Sequence, residues 1–79
     1  MGTIKVTVGN NYFHGVKEEY VCKNVDISDL AEMEYAAEEC VGAYMDAHGD
    51  IVHSITDLDM EAIESECFYM IKILEEDAQ

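Results

Sequence analysis

Residues 26–48 read DISDLAEMEYAAEECVGAYMDAH. Spaced 100° apart, Leu30, Met33, Ala37, Cys40, Val41 and Tyr44 gather on one side, flanked by Ala36, Met45 and Ala47. Glu32, Glu39 and Asp46 fall on the far side, with Glu38 beside them. Their seven-residue spacing is close to two turns, so the carboxylates form a column stepping about 10 Å along the axis. The ends carry stop and start chemistry. Asp26 is placed as N-cap with Asp29 three residues on, and Val25 and Leu30 as a hydrophobic staple. Gly49 is placed to take the left-handed conformation that closes a helix. The pattern predicts one amphipathic helix over about 27–48, its apolar side buried and its acidic side presented outward.

Upstream of it, residues 3–8 alternate strictly, with Ile4, Val6 and Val8 opposite Thr3, Lys5 and Thr7, which is the signature of a half-buried strand. Gly9, Asn10 and Asn11 read as a turn. A second strand is expected over Lys17 to Val25, antiparallel to the first, with a loop or bulge around residues 9–15 where Gly15 interrupts.

Downstream the chain is less decided. Residues 50–55 alternate enough for a short third strand, with a structured connector as the alternative. Thr56 or Asp57 then caps a second helix, with Ile55 and Met60 as a staple. Met60, Ile63, Cys67, Met70, Ile71 and Leu74 fall in one stripe of about 100°, which favours helix through residue 74. The run 67–74 is also rich in β-formers and by itself reads as a strand. Leu58, Ala62, Tyr69 and Ile73 make a second apolar strip, as if a second surface or protomer covered it. The acids Glu75, Glu76 and Asp77 oppose the dipole at its end. The expected architecture is a single α+β domain over 1–79: a small antiparallel sheet of two or three strands packed on two amphipathic helices, in the order ββα(β)α.

Composition narrows the function. Eighteen Asp and Glu face four Lys and no Arg, for a formal charge of −14, on a chain that is 49% hydrophobic. The apolar content argues for a folded domain. The charge exceeds what solubility asks of a small domain and costs stability through self-repulsion. Direct binding to nucleic acid or to an anionic membrane is disfavoured, because both need Lys and Arg. A basic protein surface is the natural partner. No apolar run approaches a membrane span or a signal-peptide core, and Met1-Gly2 lacks the hydroxyl residue at position 6 of a myristoylation start. Cys22, Cys40 and Cys67, odd in number and widely spaced, read as free thiols in a reducing, cytoplasmic setting.

Catalytic motifs are missing: there is no nucleophile elbow, phosphate loop or spaced metal set, and no cofactor is expected. Asp46, His48, Asp50 and His53 cluster around Gly49. Neither calcium-loop register there, from Asp46 or from Asp57, puts Gly at the sixth position, so a polar helix end is the better reading. The methionines at helical spacing read as core filler. Tyr35 lies among the outward acids and is the candidate interface anchor. No Lys or Arg interrupts the acids between Asp26 and Ile71. The candidate partner-binding residues are therefore Glu32, Tyr35, Glu38, Glu39 and Asp46 on the first helix, and Asp57, Asp59, Glu61, Glu64 and Glu66 on the second.

In size, charge and lack of catalytic residues the chain resembles the small acidic inhibitors encoded by phages and mobile elements, including anti-CRISPR proteins of the DNA-mimic type. That resemblance implies a stoichiometric viral inhibitor in an infected cell. It would occupy the nucleic-acid channel of a nuclease or CRISPR effector complex. Two other readings are a structural or adaptor module acting as a homodimer, and an antitoxin or immunity-type partner of a basic toxin.

Overall fold

The computed structural model describes residues 1–13, 16–54 and 57–76, with the side chains of Val52, His53 and Glu76 outside that description. The elements are β1 (Gly2–Asn10), β2 (Lys17–Val25), α1 (Leu30–Ser54), α2 (Met60–Glu64) and β3 (Cys67–Glu76). The strands form one antiparallel sheet in the order β2-β1-β3. The class is α+β, a small antiparallel sheet with two helices, as the sequence pattern predicts.

β1 is central because its alternation is the cleanest in the chain. Ile4, Val6 and Val8 are fully buried on one face, beneath Ala37, Cys40, Tyr44 and Met45 of α1. Burying three such β-branched side chains is worth roughly 1.5–3 kcal/mol each. Tyr20 and Cys22 of β2, and Cys67, Tyr69 and Ile71 of β3, pack around this row.

α1 differs from its predicted bounds at both ends. Asp26 closes a turn instead of capping the helix: its carboxylate accepts from Ser28 N–H and Oγ–H. The cap is Asp29, whose side chain accepts from Ala31 N–H at 3.0 Å and whose carbonyl accepts from Met33 N–H. At the other end the helix runs through Gly49 to Ser54, in place of a strand or connector over 50–55. Gly49 is buried within the helix, and a Cβ there would lie 2.5 Å from Met60 Cε. It is therefore a point of close approach and not a stop signal.

The largest correction concerns residues 67–74. They form β3, not the second half of a helix, and this is where the third strand lies. Ile4 pairs with Ile73, Val6 with Ile71 and Val8 with Tyr69, so the odd residues face α1 while Phe68, Met70 and Lys72 face outward. The helical stripe loses because β1, the strand that carries the buried row, would otherwise have an unpaired edge. A third strand satisfies that edge and packs Tyr69 and Ile71, half-buried, against the core. Met60 and Met70, read as core filler, are 40% and 61% exposed. The second apolar strip is a product of projecting a strand as a helix.

What remains of the second helix is one turn. Asp59 is its N-cap, accepting from Ala62 N–H at 2.8 Å, and Ser65 its C-cap. The cap candidate Thr56 and the staple residue Ile55 lie outside the described residues. Asn10, the one buried polar side chain among those described, ties this turn to β1. Its amide donates to the Ile63 carbonyl at 2.8 Å and accepts from Tyr12 N–H at 2.8 Å.

Gly42 sits mid-helix on the exposed side of α1 with nothing within 4 Å of a built Cβ. Gly42→Ala is expected to stabilise the protein by about 0.5–1 kcal/mol in urea unfolding, the helix-propensity difference. Gly49→Ala is expected to gain less, because Met60 must swing aside.

Candidate partner-binding face

The outer side of α1 is built as the periodicity requires. With its apolar stripe on the sheet, Glu32, Tyr35, Glu39, Asp46 and Asp50 point away within a sector of about 60°. All are exposed, Tyr35 at 64%. Glu38 flanks the sector, also exposed, while Glu34 lies further round the helix beside Val41. From Glu32 to Asp50 these five carboxylates span about 27 Å, or one charge per about 5 Å. The sequence reading missed Asp50 because it ended the helix at Gly49.

Among the described residues, none of these carboxylates has a cation within 4 Å. The two ion pairs among the described residues are Lys5–Glu19 at 3.3 Å and His48–Glu18 at 2.9 Å. The reason lies in where the lysines are. Lys5, Lys17 and Lys72 sit at outward positions of the strands, and Lys23 follows the same parity just before the bulge at Asn24, whose φ is 61°. All four lysines of the chain thus occupy the sheet face opposite α1. The molecule is bipolar, with an acidic helical layer and a sheet face that holds every lysine.

Three candidate residues also have structural work. Glu32 accepts from Asp26 N–H, closing the entry to α1, and Glu66 accepts from Asn11 Nδ2 at 3.0 Å. Asp59 is engaged as the α2 cap. Asp57, Glu61 and Glu64 are exposed. Because α2 is a single turn, the second set of acids forms no column beside that of α1. It collects at one end of the molecule. The expectation of acid columns on two helices is corrected to one column and one cluster.

Beneath α1, polar groups serve the fold. Tyr44 Oη donates to the Val16 carbonyl at 2.9 Å, and its ring lies 4.8 Å from that of His48, which bonds Glu18. Burial pushes the Tyr44 hydroxyl above its ordinary range. Cys22 and Cys40 sulfurs stand 3.6 Å apart, and burial, with the neighbouring Cys22, pushes the Cys40 thiol up to about 12. That thiol is protonated and unreactive at neutral pH. The Ser28 hydrogen bonds hold the Asp26 carboxyl below its ordinary range, so its contribution is present at neutral pH and is lost as pH falls through that lowered value. Among the described residues no group of three His, Cys, Asp or Glu could hold a metal ion, and the His53 side chain lies outside them. No described helix is long and apolar enough to cross a membrane.

The acids of α1 are therefore expected to divide in their effect on stability. Glu32→Ala should lower it by about 0.5–1 kcal/mol through the lost cap contact. Asp46→Ala should leave it unchanged or raise it, as repulsion is relieved. Urea unfolding of the two variants checks this. Comparison with protein-family models, with curated proteins and with solved structures finds no match for this chain.

Proposed function

We propose that the protein is a stoichiometric, non-enzymatic inhibitor that acts inside a cell. The outer face of α1 engages a basic nucleic-acid-binding surface, such as the channel of a nuclease or CRISPR effector complex, and blocks substrate. The observation that carries this reading is the segregation of charge: a column of unpaired carboxylates on α1, with every lysine on the opposite sheet face. On a surface shaped only for solubility, the two signs intermix and pair along helices.

The spacing refines the mimicry. One charge per about 5 Å is nearer to a single nucleic-acid strand, at about 3.4 Å, than to the duplex value of about 1.7 Å. α1 thus matches a row of Lys and Arg that tracks one backbone. Tyr35, 64% exposed among the acids, supplies apolar contact area with a polar tip. The charges steer encounter and make binding salt-sensitive.

The triple reversal Glu38→Lys, Glu39→Lys and Asp46→Lys tests this, because it spares the capping residues Asp29 and Glu32. Immobilised wild-type protein should capture a nucleic-acid-binding protein from source-cell lysate at low salt. Rising salt or added DNA should release it. The reversed variant, folded by circular dichroism, should capture none of it. Equal capture by the variant, or capture indifferent to DNA, would sink the proposal.

A further inference from the structure

The two edges of the sheet are unequally defended. β2 carries Lys17, Glu18, Glu19 and Lys23 and ends in a bulge with Asn24 at positive φ, the features that discourage a further strand from pairing. β3 has neither defence over Cys67–Ile73. It contains one charge, Lys72, and its register is unbroken until the extra residue Leu74. Among the described residues, no backbone hydrogen bond outside the sheet reaches residues 67–76. Phe68, Met70, Ile73 and Leu74 are 37–61% exposed along it.

We propose that the β3 edge is a self-association surface, and that a second copy of this chain pairs β3 to β3 antiparallel about a two-fold axis at Met70. Three observations select this occupant. The bulge-free run Cys67–Ile73 is centred on Met70, so a two-fold there uses its full length. In that register Phe68 faces the second copy's Lys72, Tyr69 faces its Ile71 and Met70 faces itself. Aromatic–β-branched pairs of this kind favour a sheet, and no like charges stand opposite. Phe68 already accepts a lysine on its other side, Lys17 Nζ lying 5.9 Å from the ring centroid. Finally, between Glu66 and Glu75 the chain carries no acid, so this edge is where two copies of charge −14 repel least. The contact is isologous and closes as a dimer with one six-stranded sheet.

The pairing places both acidic helices on the same side of the joined sheet. Salt therefore strengthens the dimer by screening them, opposite to its effect on binding to a basic partner. The inference does not depend on the proposed function.

Sedimentation equilibrium of the full chain at about 150 mM salt should give twice the monomer mass of 8.9 kDa, with a dimer fraction that rises with salt. Met70→Lys, at an exposed outward position, should leave the circular dichroism spectrum unchanged and give monomer, by setting two lysines face to face. Mixing Met70→Lys with Met70→Glu should restore dimer as a heterodimer. Val21→Lys, at an exposed outward position of β2, should leave the wild-type dimer intact. A monomer at every concentration and salt would overturn the proposal. So would a dimer that persists in Met70→Lys or yields instead to Val21→Lys.

Discussion

The structure depends on one row of contacts: Ile4, Val6 and Val8 of β1 pressed against Ala37, Cys40 and Tyr44 of α1. A three-stranded sheet offers two faces, and this chain has one long helix with which to cover them. β1 therefore has a dry side and a wet side, and every other element takes its place from that choice. β2 and β3 flank the buried row. α2 is a single turn that, through Ile63 and Asn10, closes the end where β1 leaves the sheet. A core this small leaves little margin, and it must also hold together a chain of charge −14.

The same one-sided packing sorts the charge. α1 must turn its apolar stripe inward, so its acids can only point out. The strands turn Ile4, Val6, Val8 and Ile71 toward α1, so the lysines, at positions of the opposite parity, occupy the other face. Apart from Glu32 at the helix entry, the packing does not use the outward α1 acids, and among the described residues no cation pairs with them. Their electrostatic cost is consistent with a surface kept for a partner, the reading advanced above. Tyr35 points the same way, an aromatic ring left largely in water among carboxylates.

The parts of this architecture legible in the sequence are those where local pattern and tertiary demand agree. β1 is strict alternation, β2 is rich in β-formers, and the α1 stripe runs without a break. The outward placement of Glu32, Tyr35, Glu38, Glu39 and Asp46 followed from that stripe alone. The reading failed where the demand was non-local. Cys67–Leu74 satisfies both periods, and only the unpaired edge of β1, more than fifty residues away in sequence, decides between them. Gly49 has the chemistry of a helix stop, yet Met60 packs against it within a continuing helix. The gathering of all four lysines on one face was likewise out of reach, because it depends on which strand face α1 covers.

The core holds an uncompensated acidic face in place. Thermal stability measured against sodium chloride tests it most directly. Screening lengths fall from about 30 Å at 0.01 M to about 10 Å at 0.1 M and about 3 Å at 1 M. Relief of repulsion along α1 should therefore raise the melting temperature steeply at low salt and flatten at higher salt. A melting temperature that stays level or falls over the low-salt range would mean that the acids are already balanced, and would contradict the account.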